Sequence, residues 1–373
     1  MKSPVKKLVL ILALLGSLFS FAHSQVRESN EDKQIQLMEQ AIKEDPALAS
    51  IFRFFGDPYE LLARFNEGRR KAEEKWQKKQ STIRKIKNLG TTKTLEILPL
   101  IDWYTRDESL KGEAGVSYLI KTDQSNILFD VGRNRYQTDP SPLLHNMKQL
   151  GVTLDDFDTL VISHNHGDHI GGRIWRYQNT FSLTSHQINL GKKRIYTPLP
   201  MTYPGLNPIY AENPMILSKG VATIGVISNH MFFLGLTPEQ ALAVNVDDRG
   251  IVLIVGCGHQ TLSKILERAE ALFDEPIYGL IGGLHYPVTD SRAMTMTGIK
   301  LQMYIGTGKV PWKRVTMEEV QKNIDLLKKK NPGVVGLSPH DSCDASLAAF
   351  RQAFPGIYKE IKVGENIVVG KHR

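Results

Sequence analysis

Two textures of hydrophobic and polar positions divide this chain. From Glu31 to Leu89, apolar residues recur at helical spacing: Leu37-Met38, Ile42, Leu48, Ile51-Phe52 and Phe55. Asp57-Pro58 interrupts the pattern, and Tyr59 to Ile86 resumes it. From Leu95 onward the period shortens to that of strands. Thr94 to Ile101, Val116 to Thr122 and Ile127 to Phe129 read as successive strands, with turns at Lys111-Gly112 and Asp123 to Asn126. A helix over Pro142 to Leu150 precedes a short buried strand, Thr159-Leu160-Val161-Ile162. Strands follow at Ala222 to Ser228, Ala241 to Val246 and Ile251 to Val255. Leu262 to Phe273 is a predicted helix with Leu262, Ile265, Leu266 and Ala269 on one face. Then come Ile277 to Ile281, a helix over Met317 to Lys330, a strand to Leu337, a helix over Ala345 to Phe354 and a last strand, Glu365 to Val369. Strands in two runs, each flanked by helices, predict an α/β fold, a four-layer αββα sandwich with an N-terminal helical extension. Two irregular connections, Arg173 to Gly220 and Val288 to Pro311, are long enough to be read as pocket or lid material.

The first residues fit neither texture. Lys2, Lys6 and Lys7 precede an apolar run from Leu8 to Ala22, and Ala22-His23-Ser24 offers small residues for cleavage before Gln25. Residues 1–24 therefore read as a signal peptide, 25–92 as the helical extension and 93–373 as the catalytic domain. The chain is expected to be exported, periplasmic or secreted. The apolar run is shorter than the roughly 20 residues that span a bilayer, so no stable membrane span is expected after cleavage. Loss of three lysines takes the formal charge from +8 to about +5. Nine Lys or Arg between Arg69 and Lys87 face Glu73 and Glu74. This reads as a solvated helix face, and no nucleic-acid partner is expected for an exported protein. The extension carries no chemical motif. It can pack as a helical hairpin against the domain that follows or pair chains into a homo-oligomer.

The chemistry concentrates after the strand ending at Ile162. Ser163-His164-Asn165-His166-Gly167-Asp168-His169 places three imidazoles and a carboxylate in six consecutive positions. Such a cluster is costly to fold unless something binds it, and a divalent metal is the natural partner for imidazole and carboxylate. Gly167 and Gly171-Gly172 let the chain turn sharply. His164 and His166 can reach one metal, while Asp168 and His169 reach a second from the far side of the turn. Two metals about 3.5–4 Å apart can activate water and clamp the oxygens of a displaced group. Only two cysteines exist, Cys257 and Cys343. Each lies within three residues of a candidate His. A thiol beside a metal, a metal-side disulfide and a remote staple all fit.

The loop resembles the signature of the metallo-β-lactamase superfamily. Ile127-Leu128-Phe129-Asp130-Val131-Gly132, Gly256-Cys257-Gly258-His259, Gly282-Gly283-Leu284-His285 and Ser338-Pro339-His340-Asp341-Ser342-Cys343 follow in the same order. Glu113 to Ser117 and Glu239 to Leu242 also have counterparts. Over roughly Leu95 to Gly370 the set is similar to the dihydropterin-aminobenzene ribofuranosyl phosphate synthase-like branch. Here Gly258 replaces a Ser, Cys343 stands three residues after His340, and Cys257 occupies the place where many superfamily hydrolases carry a bridging Asp.

The resemblance implies a metallo-β-lactamase-like sandwich holding two divalent ions. Zinc is the first expectation, with iron and manganese suited to the same donors. By the resemblance, His164, His166 and His259 hold one ion, and Asp168, His169 and His340 the other. His285 can hold metal or face substrate, with substrate contact or proton donation preferred. Asp168 and His285 are thus the expected catalytic pair. Asp130 is expected to fix an imidazole tautomer from behind, and Asp102 and Glu113 to shape the rim. His186 and His230 read as pocket wall or surface. The expected function is an exported metal-dependent hydrolase in which a metal-bound hydroxide attacks a small-molecule ester, lactone, amide or phosphoester. The alternatives are a pterin-type C–N bond-forming synthase or transferase, and a non-hydrolytic metal-binding redox module.

Overall fold

The computed structural model describes residues 30–289, 292, 295–296 and 298–370. The expected signal peptide lies outside the described residues. The chain divides into two compact units, Met1–Arg64 and Phe65–Arg373. In the first, residues 30–44 form α1, followed by α2 (Pro46–Phe55). Asp45 caps α2 by accepting the amides of Ala47 and Leu48, and Pro46 occupies the first turn. Leu48, Ile51 and Phe52 are its buried residues. Helix α3 (Pro58–Gln80) begins in this unit and continues into the second.

The second unit is built on two mixed sheets. The first sheet contains β1 (Thr94–Ile101), β2 (Ser117–Thr122), β3 (Asn126–Phe129), β4 (Thr159–Val161), β5 (Arg194–Thr197) and β6 (Ile209–Tyr210). The second sheet contains β7 (Met215–Ser218), β8 (Val221–Thr223), β11 (Leu242–Val246), β12 (Gly250–Val255), β13 (Ile277–Gly282) and β16 (Val334–Leu337). A hairpin of β9 (Ile227–Met231) and β10 (Gly235–Glu239) precedes β11, and a smaller one pairs β14 (Thr295–Met296) with β15 (Ile299–Lys300). The last strand, β17 (Ile367–Gly370), returns to the first sheet, giving the orders β17-β1-β2-β3-β4-β5-β6 and β16-β13-β12-β11-β8-β7. β3 to β6 run parallel to one another, as do β12, β13 and β16. The helices are α4 (Pro142–Gln149), α5 (Arg173–Tyr177), α6 (Leu262–Leu272), α7 (Met317–Lys328) and α8 (Asp344–Ala353).

Burial on both strand faces explains the continuous apolar runs in the sequence. Along β12, Val252 and Ile254 meet Ile120, Phe129 and Val161 of the first sheet. Ile251, Leu253 and Val255 point the other way, into a core with Ile265 of α6, Ile324 of α7 and Phe350 of α8. A third core joins Leu119, Leu128 and Leu160 to Leu143 and Met147 of α4. The layers are therefore helix, sheet, sheet, helix. The predicted strand Ala222 to Ser228 is two strands, because the chain turns at Gly225 (φ 72°) between β8 and β9. Arg173 to Gly220, read as irregular, contains α5 and β5 to β7; these are short, and no long apolar period marks them.

The second half of α3 is part of this core. Trp76 is buried with Ile265 and Leu266, and its ring lies 5.0 Å below the Arg268 guanidinium. Arg268 is buried and donates to Gln80 Oε1 at 2.7 Å and Ile224 O at 3.1 Å. Trp76→Ala should cost about 3–5 kcal/mol, through lost apolar contact and an opened flank on a buried cation. Urea denaturation of the whole chain checks this; a loss below 1 kcal/mol would mean that α3 does not hold the core.

Candidate functional site

The site gathers at the carboxyl ends of strands from both sheets, where open α/β sheets place their ligands. Asp130 follows β3, and the His164 to His169 loop follows β4. Cys257 and His259 follow β12, His285 follows β13, and His340 follows β16. Tight backbone approach makes this convergence feasible. A Cβ at Gly283 would stand 2.3 Å from Gly256 O and 2.5 Å from Asp341 Oδ2, so only glycine fits between these loops.

Three overlapping groups of donors result: His164, His166 and His259; Asp168, His169, Cys257 and His340; Cys257, His259 and His285. In each, one donor atom per residue lies within 4.8 Å of the others. Cys257 belongs to two groups, its Sγ 3.1 Å from His169 Nε2 and 3.2 Å from His340 Nε2. The six residues expected to hold metal are all here, and His285 adjoins them.

Hydrogen bonds behind the imidazoles decide where their lone pairs point. The Ser338 hydroxyl donates to Asp102 Oδ2 at 2.7 Å, so its oxygen accepts His340 Nδ1–H at 2.6 Å. That leaves a bare Nε2 on His340 facing Cys257. Ser163 repeats the device. Its hydroxyl donates to Asp130 Oδ2 at 2.7 Å and accepts His164 Nδ1–H at 2.9 Å. The opposite atom, His164 Nε2, is buried and has no partner. His259 Nδ1–H donates to Gly306 O at 2.8 Å. Thr237 Oγ1 lies 3.3 Å from His166 Nε2 and donates to Gly235 O. His259 Nε2 and His166 Nδ1 then face each other as bare nitrogens 3.1 Å apart. Converging lone pairs without a proton between them are what a cation satisfies. The residues therefore fit a divalent ion.

Electrostatics agree with this fit. Burial, reinforced by neighbouring ring charges, holds His164, His166, His259 and His340 well below the usual imidazole range, so they stay neutral. Burial works against protonation of His169 too, but Asp130 and Asp168 raise it to about 9. Burial would raise Asp168, yet His169, His166 and His340 hold it at about 2. Burial, then Asp168 and Asp341, push the Cys257 thiol up.

Asp130 backs His169, 2.7 Å from its Nδ1, as expected. Asp102, expected at the rim, is fully buried and acts on His340 through Ser338. Glu113 Oε1 accepts the amides of Arg133 and Asn134, holding the loop after Asp130. His285 Nε2–H donates to Ile305 O at 3.1 Å, and its buried Nδ1 has no partner. His186 is exposed, beside Asp139, and His230 packs against Phe65; neither joins the centre. Cys257 and Cys343 are both free thiols. Cys343 bonds Thr289 and Ser346 instead, so the disulfide alternative is absent. Sequence reasoning gave Glu239 no role. Its Oε1 accepts the amides of Cys257 and Gly258, and its Oε2 that of His259, cradling the whole loop. The available signal was an acid at the end of a strand leading into an apolar run. A cleft of about 280 Å³ opens beside His259 and His285.

Known proteins share parts of this arrangement. Residues 110–173 match the model of the Metallo-beta-lactamase superfamily, a stretch that includes His164, His166, Asp168 and His169. A curated relative, the 7,8-dihydropterin-6-methyl-4-(beta-D-ribofuranosyl)-aminobenzene-5'-phosphate synthase of Methanocaldococcus jannaschii, is 23% identical over 272 residues, covering 60% of this chain and 88% of the relative. Among solved structures, a metal-dependent hydrolase of the beta-lactamase superfamily is 18% identical at a TM-score of 0.47, over 74% of this chain and 100% of that one. The metallo-beta-lactamase fold protein YhfI from Bacillus subtilis is 15% identical at a TM-score of 0.43, again over 74% of this chain and 100% of that one. The chain is thus similar, in its His164 to His169 loop, to the metallo-β-lactamase superfamily, and over a longer span to its dihydropterin-aminobenzene ribofuranosyl phosphate synthase-like branch.

Proposed function

We propose that this chain is a metal-dependent hydrolase of a small-molecule ester, lactone, amide or phosphoester, acting after export. The reading rests on one observation above others. Bare nitrogens of His164, His166 and His259 converge without a proton to share, beside a cleft open to solvent. His164, His166 and His259 would hold one ion; Asp168, His169 and His340 would hold a second, with Cys257 between them. A sulfur among nitrogen and oxygen donors favours zinc over iron or manganese. Bound divalent ions supply Lewis-acid polarisation of a carbonyl or phosphoryl oxygen and a lowered pKa for water. The chain's own residues do the rest. Asp168, a third exposed on its side chain, presents its carboxylate at the front of the site. His285 Nδ1 is the proton-handling atom: with Nε2–H tied to Ile305, it takes a proton from the attacking water and returns it to the leaving group. Asp102, Asp130 and Glu239 hold imidazoles and loop so that these atoms need no rearrangement.

The synthase reading has its own support in the similarity to the archaeal enzyme. Turnover separates the two. Chelation should abolish activity on a panel of aryl esters, lactones and phosphoesters, and zinc should restore it, with about two ions per chain by elemental analysis. A fully loaded protein that processes none of the panel would favour C–N bond formation.

Ser338→Ala removes the link between Asp102 and the His340 ring, together with the bond from the His340 amide to the same hydroxyl oxygen. It should weaken metal binding roughly 10–100-fold in competition with a chromogenic chelator, while the melting temperature of the metal-free protein changes little. His285→Ala should lower kcat by about 10²-fold or more and leave metal content intact; loss of an ion instead would make His285 a ligand.

In metal-free protein, His164, His166, His259 and His340 titrate below their unfolded value near 6.5. The unfolded chain therefore binds protons first as pH falls, and stability drops below about pH 6.5. His169, raised to about 9, contributes stability that is fully present below 6.5 and is lost only as pH rises through 9. Urea midpoints should fall from pH 6.5 to 5.5, and a flat profile over that unit would contradict the neutral imidazoles.

A further inference from the structure

Beyond the reacting centre, we propose that the cleft beside His259 and His285 receives an anionic group, a phosphate or carboxylate, carried on the non-reacting end of the substrate, and that Arg69 of α3 is its receptor. This rests on the cleft being the substrate's approach to the centre described above.

The argument begins with the three cations that line the cleft: Arg69, Lys264 and Lys309. Two of them are already engaged. Lys264 bonds Glu73 at 2.6 Å and lies 5.3 Å from the Trp76 ring. Lys309 bonds both Glu319 oxygens, at 2.6 and 2.7 Å. Arg69 differs. Its guanidinium lies 5.7 Å from the Phe65 ring and one of its N–H groups donates to the Gly308 carbonyl, but no carboxylate bonds it among the described residues. Glu73, one turn along α3, is bound by Lys264 and Gln77. A guanidinium offers five donors in a planar fork that suits phosphate or carboxylate, so most of its capacity is free.

The loop that Arg69 touches adds donors of its own. Gly306 and Gly308 both adopt left-handed backbone, with φ of 82° and 66°, and both line the cleft with Thr307. Among the described residues, no acceptor is paired with the amides of Gly306, Thr307 or Gly308. Free amides beside a cation form an anion-binding concavity. The same loop touches the reacting centre, since Gly306 O accepts His259 Nδ1–H at 2.8 Å. One residue, Thr307, separates this carbonyl from that of Gly308, a span of at most about 7 Å. A small molecule can therefore reach both. Lys264 and Lys309, neutralised by their partners, leave Arg69 as the net charge at this end.

The test uses the metal-loaded full chain and two chromogenic esters of equal length, mono-4-nitrophenyl glutarate and its methyl-capped counterpart. The wild type should show a KM about tenfold lower for the anionic ester, and Arg69→Gln should lose that preference with kcat nearly unchanged. Arg69→Lys should retain most of it. Arg351→Gln, on the remote helix α8, should change neither. Equal rises in KM for both esters in Arg69→Gln would show a merely structural role and overturn the proposal. A second readout is independent of turnover. Phenylphosphonate and phenylacetate, measured by calorimetry at two ionic strengths, should bind Arg69→Gln about tenfold more weakly and with less salt dependence than wild type. The stronger of the two identifies phosphate or carboxylate as the natural group. If neither ester turns over but the calorimetric difference appears, hydrolysis fails and the anion site stands. If the esters turn over and both probes bind wild type and variant alike, the anion site fails alone.

Discussion

Everything in this molecule is arranged around nitrogen lone pairs that face one another in a buried space. An imidazole has two nitrogens, and fixing the proton on one exposes the lone pair on the other. Ser163 with Asp130 and Ser338 with Asp102 fix that proton on His164 and His340, and the Gly306 carbonyl does so on His259. Without a cation, the resulting arrangement has unpaired acceptors at full burial, which folded proteins avoid. The fold carries that cost because the rest of the chain holds these groups rigidly. The carboxylates behind the rings, Asp102 and Asp130, are fully buried.

The strands supply the rigidity. Parallel β12, β13 and β16 end side by side, and β3 and β4 end opposite them across the inter-sheet core. Glu239, from the end of β10, ties down three consecutive amides of the Cys257 to His259 loop at once. Burial raises this carboxyl to about 7 even against those three donors. The hydrogen bonds therefore act where a charge is costly, and a nearby cation would relieve that cost as well.

Much of this was legible because it is local in sequence. The His164 to His169 loop declares itself in six residues, and the strand periods around it give the sheet order's main members. His259 and His340 are lone histidines, visible only through resemblance. Asp102 is a different case. Its effect passes through Ser338, 236 positions away, and no spacing rule connects them. For Cys257 the sequence leaves a thiol beside metal, a metal-side disulfide and a remote staple open, because its place as a free thiol between two donor groups depends on how two sheets converge. The contribution of α3 was illegible for the same reason. Its charged surface pattern reads as solvated, and the buried Phe65, Ala72 and Trp76 are too sparse among those charges to show that this stretch belongs to the core.

From Phe65 onward that helix belongs to the unit that holds the centre. Gly68 lies so close to His230 that a Cβ there would stand 2.1 Å from its ring, Trp76 enters the core, and Arg69 bonds the loop that holds His259. Three contacts along two and a half turns tie one helix face to the site. A segment with no motif of its own thereby lines the cleft, while the loops after β4, β12, β13 and β16 carry the donor groups of the centre. The centre and the cleft beside it are then built from different parts of the chain. The centre demands buried, pre-oriented imidazoles and tolerates little change, whereas Arg69 of α3 reaches it only through the loop in which Gly308 O accepts its N–H and Gly306 O accepts His259 Nδ1–H.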